Sequence, residues 1–213
     1  MFAVGGRKPP GPRVARGAAW RDARYVALDF ETTGLDYATD HIVSYGVVPI
    51  EHARVFVGAA RHQLVRPPTQ PSRRSQTVHL LRPVDLVDAP DRATAALDLR
   101  AALAGRFVLA WFAQVEVAFL RGLYGGSERW WGRRVIDVRD LAIAVDRAPP
   151  AARRERGYAL GATAKRYGIP VADPHNALDD ALVTAQLFLV LVGKLPGRAP
   201  PTARDLARLS FPS

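Results

Sequence analysis

Cysteine is absent from the 213-residue chain. That excludes a disulfide framework, a thiolate zinc site, an iron–sulfur cluster and a thiol nucleophile, and it fits a reducing compartment such as the cytoplasm. Lysine is scarce, with only Lys8, Lys165 and Lys194. Positive charge is therefore carried almost wholly by arginine, a bias that GC-rich codon usage also produces. No apolar run reaches the ~18 residues of a membrane helix. The greasiest stretch, Leu182 to Val192, is broken by Thr184 and Gln186 and reads as a buried helix. The basic N-terminus (Arg7, Lys8, Arg13, Arg16) carries no apolar segment of the secretory kind. Its Pro9-Pro10-Gly11-Pro12 run opposes the amphipathic helix of a transit peptide.

What is present describes a globular protein with a full core: 48% apolar and 23% charged residues. Lys+Arg is 30 against Asp+Glu 20, a net charge of +10. Such a balance attracts polyanions, nucleic acid first, with no membrane span expected. Basic clusters at Arg73-Arg74, Arg129, Arg133-Arg134, Arg153-Arg154 and Arg156 suit a phosphate backbone or a solvated surface equally.

Patterning divides the chain into a basic disordered tail over residues 1–22, a domain over 23–195 and a Pro-rich tail over 196–213. Strands are expected from Arg24 to Phe30, Ile42 to Ile50, Arg54 to Val65 and Phe107 to Phe112. Helices are expected over Asp91 to Gly105, Val115 to Tyr124, Tyr158 to Tyr167 and Asn176 to Lys194. Val135 to Val145 reads as a short strand followed by a helix. Thr202 to Leu209 reads as a short helix capped by Thr202. Strands first, then strands alternating with helices, indicate an α/β protein with one central mixed sheet.

Asp29-Phe30-Glu31-Thr32-Thr33-Gly34-Leu35 carries the first chemistry. Residues two apart on a strand share a face, so Asp29 and Glu31 project two carboxylates together. Buried, such a pair repels itself, and a hard divalent cation removes that cost; in a loop it would merely be solvated. Thr32, Thr33 and Gly34 add main-chain N–H groups at a strand end. In His175-Asn176-Ala177-Leu178-Asp179-Asp180, the histidine stands at a helix entrance and Asp180 on the helix. That pairing suits a general base beside a metal ligand; a lone histidine there is otherwise a surface or capping residue. Glu116 lies in the first turn of an apolar helix after Trp111-Phe112, where an acid also complements the helix dipole.

Together these segments resemble the DEDDh 3′–5′ exonucleases, the family of the proofreading epsilon subunit of bacterial replicative DNA polymerase, RNase T and oligoribonuclease. Asp29 to Leu35 matches the motif D-x-E-T-T-G-L in full, and His175, Ala177 and Asp180 match H-x-A-x-x-D. The middle motif, H-N-A-x-F-D-x-x-F-L, appears as Trp111 to Leu120, with Trp111 and Phe112 in place of His-Asn and Glu116 in place of Asp. Thr77 to Leu86 is similar to the V-H-G-I-x-x-x-D-L segment, with Leu80 for its glycine. The resemblance implies an RNase H-like fold with a five-stranded mixed sheet. It implies that Asp29, Glu31, Glu116 and Asp180 hold two Mg²⁺ or Mn²⁺ ions roughly 4 Å apart, and that His175 takes a proton from the attacking water. It places Thr32, Thr33, Gly34, Leu35 and His79 against substrate. Trp111 either stacks on a base or packs in the core. The implied activity is release of nucleoside 5′-monophosphates from single-stranded 3′ ends, alone or beside a DNA polymerase. The alternative is a catalytically weak module that binds nucleic acid or a partner and keeps the fold.

Overall fold

A computed structural model describes residues 7–15, 17–68, 80–147, 158–172, 175–197 and 199–210. The strands are β1 (Tyr25–Thr32), β2 (Ile42–Glu51), β3 (Arg54–Val55), β4 (Arg61–Leu64), β5 (Phe107–Ala110) and β6 (Val135–Asp137). They form one mixed sheet in the order β3-β2-β1-β5-β6, with β4 also paired to β2. β2 runs antiparallel to β1; β5 and β6 run parallel to it. The expected third strand over 54–65 is interrupted. His52 and Ala53 turn with positive φ, and a 3₁₀ turn at Val57–Ala59 separates β3 from β4. The sheet therefore has six strands among the described residues, where five are implied by the resemblance.

The helices are α1 (Arg92–Leu103), α2 (Gln114–Tyr124), α3 (Glu128–Gly132), α4 (Val138–Val145), α5 (Leu160–Arg166), α6 (Ala177–Lys194) and α7 (Ala203–Ser210). Most of their starts follow the capping rules, α2 after Ala113 and α5 after Ala159 having no side-chain cap. Asp91 accepts from Thr94 N, Ser127 from Trp130 N, Asn176 from Leu178 N and Thr202 from Asp205 N. Helix α3, absent from the sequence reading, is one short turn begun by that Ser127 cap.

Alternation along β1 sorts its side chains between two cores. Tyr25 and Ala27 join Leu109, Ile136, Leu141, Phe188 and Leu206 on one face. Val26, Leu28 and Phe30 join Leu99, Leu103, Val117 and Leu120 on the other. Asp29 and Glu31 continue the first series, so both belong to the face that α6 covers. The packing extends past the boundaries expected at 23 and 195. Trp20 is buried edge-on against Phe188, at 5.9 Å between ring centroids, and α7 buries Leu206. Ala19 bridges to Thr202, and Gly105 N donates to Pro10 O. No described helix is long and apolar enough to cross a membrane.

Gly46 controls how closely α6 approaches. It pairs with Asp29 across β1–β2, so its missing side chain would point to the same face. A Cβ there would sit 2.1 Å from Ala177 O and 2.5 Å from Leu178 Cα. The first turn of α6 therefore rests on bare backbone beside Asp29. Gly46→Ala is expected to destabilise the fold by about 1–3 kcal/mol through overpacking. Gly58→Ala, where nothing lies within 4 Å of the new methyl, should stay within about 0.5 kcal/mol of wild type. Urea denaturation of the two variants checks this; equal midpoints would show that α6 slides without cost.

Candidate active site

Parallel strands put their carboxyl ends on one edge of a sheet, where open α/β folds bind ligands. β1 delivers Asp29 and Glu31 toward that edge. The first turns of α6 add Asp180. One carboxylate oxygen from each of these three residues lies within 4.8 Å of the others. Glu31 is only 8% exposed.

Glu116, in the first turn of α2, stands outside that close set but is electrostatically coupled to it. It is 4% exposed, and its Oε2 is buried with no hydrogen-bond partner among the described residues. Burial pushes the Asp29 carboxyl well above the usual range, and Glu116, Glu31 and Asp180 push it further. Burial also raises Glu116 well above its ordinary value, with Asp137 and Glu31 adding to the effect. Glu31 is pushed up to about 8 by burial and then by Asp180.

The donor set is all carboxylate oxygen and crowded, and beside it Glu116 Oε2 is buried without a hydrogen-bond partner among the described residues. These are properties of a site for a hard divalent cation such as Mg²⁺ or Mn²⁺.

The loop after β1 is tied down by its own side chains. Thr33 Oγ1 donates to Asp40 at 2.8 Å, His41 N donates back to Thr33 Oγ1 at 3.0 Å, and Thr32 Oγ1 donates to Gly34 O at 2.7 Å. A Cβ on Gly34 would meet the Asp40 carboxylate and displace it from Thr33 Oγ1 and Asp36 N. Leu35 is left 76% exposed at its tip. His175 is also exposed, sits in the left-handed region (φ 66°), and donates its main-chain N–H to Asp180 Oδ2 at 3.2 Å. His79 and the preceding Thr77-Val78 lie outside the described residues.

Trp111 turns inward. Its indole N–H donates to Tyr158 O at 3.2 Å, and its ring packs on the α6-side core. Phe112 takes the opposite course: φ is 63° and the ring is 44% exposed. A bulky residue held there costs on the order of 1–3 kcal/mol.

What holds this turn is Asp137, which the sequence reading passed over. Its buried carboxylate accepts from Phe112 N at 3.2 Å, Ala113 N at 2.9 Å and Arg139 N at 3.0 Å. Burial and then Asp140 raise its pKa to about 6, against the pull of those amides. An acid between a short apolar strand and a helix is an N-cap signature, so Asp137 was detectable as a cap. Its reach to the end of β5 was not.

The RNase T exonuclease profile matches residues 26–188, most of the chain. The chain belongs to this family, the DEDDh 3′–5′ exonucleases. Relatives include the PolC-type DNA polymerase III of Thermotoga petrophila, 30% identical over 176 residues, and that of Thermotoga maritima, 31% identical over 172. These matches cover 82% and 80% of this chain and 12% of each polymerase. Among solved structures, E. coli exonuclease I with a dT13 oligonucleotide aligns with TM-score 0.65 at 16% identity, over 80% of this chain and 41% of that one. The nuclease domain of 3′hExo, a DEDDh family member bound to rAMP, aligns with TM-score 0.63 at 15% identity, over 84% and 97%. These likenesses establish the RNase H-like fold. The family uses divalent metal ions, and the acidic cluster is the place in this chain that suits them.

The raised carboxyls have a definite consequence for stability. Folded Glu31 keeps its proton to about 8, whereas the unfolded value is 4.5. Below 4.5 both states are protonated and the residue costs nothing. Through the window from 4.5 to about 8 the unfolded chain releases the proton first, so the metal-free fold weakens as pH rises. In EDTA, the melting temperature of Glu31→Gln is expected to exceed that of wild type by a margin that widens across this window. Mn²⁺ should stabilise wild type increasingly over the same range, because it takes the place of the protons. A margin that stays constant with pH would show that Glu31 is ionised as in water.

Proposed function

We propose that the protein is a metal-dependent 3′–5′ exonuclease that releases nucleoside 5′-monophosphates from single-stranded nucleic-acid ends. The convergence of Asp29, Glu31 and Asp180 within 4.8 Å of one another carries this reading. Those three carboxylates and Glu116 hold two Mg²⁺ or Mn²⁺ ions in the proposed enzyme. When bound, the ions neutralise phosphate charge, make a bound water more acidic and stabilise the leaving 3′ oxygen.

The chain's own groups do the rest. His175, exposed at the entrance to α6, takes the proton of the attacking water. Asp180 fixes that entrance by accepting from the His175 main chain. The turn through Thr32, Thr33 and Gly34 lies against the terminal nucleotide, with the Thr33 N–H already given to His41 O, and Leu35 packs against the last base. Glu116 replaces an aspartate of the resembled motif and keeps its charge with one more methylene. The partner these relatives suggest is a DNA polymerase, with the chain acting as its proofreading nuclease or as a separate protein of the same chemistry.

A 5′-labelled oligonucleotide should be shortened in Mn²⁺ and left intact in EDTA. Asp29→Asn and Asp180→Asn should abolish shortening and melt no lower than wild type in EDTA, because each removes repulsion. His175→Ala should lower the rate by roughly 10²–10⁴-fold. Glu116→Gln should cost at least about tenfold. If all four variants shorten the oligonucleotide at the wild-type rate, the assignment fails. If wild type binds it without shortening it, the protein is a binding module on a nuclease fold.

A further inference from the structure

Phe112 combines features that structural need does not account for. Its backbone is in the left-handed region (φ 63°), which asparagine and glycine tolerate far better than phenylalanine. The resembled motif has asparagine at this position. The ring recovers little by burial, since 44% of the residue is exposed. The Arg139 guanidinium nevertheless lies 5.0 Å from the ring centroid, and its Nε is buried without a hydrogen-bond partner among the described residues. The buried Asp137 carboxylate grips Phe112 N and Arg139 N together. One acid thus fixes the two main-chain positions that carry the aromatic ring and the cation.

The position matters as much as the geometry. Ala27 and Leu109 are paired on the parallel strands β1 and β5. Asp29 lies two residues further along β1, while β5 ends at Ala110 and Trp111-Phe112 follow in the turn into α2. The exposed ring therefore stands just past the carboxyl end of β5, the strand beside the one that carries Asp29 and Glu31.

We propose that Phe112, backed by Arg139, is a stacking platform for one base near the 3′ end of a single strand, with Arg139 facing the adjoining phosphate. The proposal rests on the reading of the cluster as a site for nucleic-acid 3′ ends, and it deepens that reading. Every base offers a π face, so the platform accepts any sequence. It favours unpaired ends, since a base in a duplex is already stacked. Trp111, the other aromatic of the pair, has its face committed to the core.

The test uses a 5′-labelled oligothymidylate and three versions of it, each abasic at one of the last three positions. Binding is read by fluorescence anisotropy in EDTA at low salt, and cleavage in Mn²⁺. At one position the abasic change should weaken wild-type binding about 5- to 150-fold. Phe112→Asn should weaken binding of the intact strand by a similar factor, lose the abasic sensitivity and melt no lower than wild type. Phe112→Tyr should restore both affinity and sensitivity. Arg139→Gln should reduce the salt dependence of binding by about one phosphate contact.

The proposal is overturned if Phe112→Asn binds the intact strand like wild type or keeps its abasic sensitivity. The expected binding pattern without any shortening would leave the platform standing and remove the nuclease. Shortening with the same KM in Phe112→Asn would do the reverse. No binding by wild type at low salt would overturn both.

Discussion

Repulsion among buried carboxylates is the constraint around which the rest of this structure is arranged. Asp29, Glu31 and Asp180 crowd their oxygens together, and buried Glu116 stands close enough to raise Asp29 further. Like charges in a poorly solvated place oppose folding. A protein that brings them together from distant parts of the chain must hold each one with packing that would be stable without them. The sheet and α6 supply that packing. Tyr25 and Ala27 of β1 meet Phe188 and Leu187 of α6 in a dry core, and burial of such side chains contributes about 1.5–3 kcal/mol each. In the metal-free protein, protons partly offset these costs: burial first, and then the charge of Asp180, hold the pKa of Glu31 up. Divalent cations bound there would do so more completely and would supply the capacity for phosphoryl chemistry.

Two supporting residues show how this arrangement is kept in register. Gly46 has no side chain, so the start of α6 can rest directly on β2 opposite Asp29. Any larger residue would lift Asp180 away from the strand that carries its partners. Asp137 works on the other side. By accepting from the amides of Phe112 and Ala113 it fixes the turn from β5 into α2, and so fixes the helix that bears Glu116. Ser210 of α7 donates to Asp137 O and accepts from Asp137 N, which ties the C-terminal helix to the same turn. Neither Gly46 nor Asp137 belongs to the close carboxylate set, yet the placement of that set depends on both.

The acidic residues were legible in the sequence because their chemistry is local. Two acids in alternation on an apolar strand, followed by Thr-Thr-Gly, already specify a face and a turn. A histidine and an aspartate at a helix entrance do the same. Helix starts were legible for a similar reason, since Asp91, Asn176 and Thr202 cap through bonds to amides two or three residues ahead. What escaped was set by tertiary approach. Gly46 looks like any strand glycine until α6 is laid on it. The run 54–65 breaks at the 3₁₀ turn around Gly58, and β3 and β4 pair separately with β2. Packing of the chain on both sides of the expected domain boundaries was hidden because proline and arginine dominate those segments, while a few residues such as Trp20 and Leu206 do the anchoring. The inward turn of Trp111 and outward turn of Phe112 follow from one backbone dihedral that no pattern of apolar residues encodes.

Around the carboxylates, polarity is distributed in a way that matches the two halves of a nucleotide. The floor of the site is anionic and needs cations, which are what a phosphodiester also needs. The exposed large apolar residues include Leu35 at the tip of the β1 loop, Leu80 and Phe112. A base is a flat, largely apolar surface that must leave its neighbours when a 3′ end enters an active site. An apolar contact compensates for that lost stacking without reading the base's hydrogen-bonding edge. The physical logic therefore separates two tasks. In the proposed enzyme, cations held by the floor would attract a phosphate, and apolar contact at the rim would favour an unpaired end. Arginine, rather than lysine, suits the junction between them, because a guanidinium can lie flat on an aromatic ring and still present N–H groups to a phosphate. Arg139 over Phe112 is placed at such a junction.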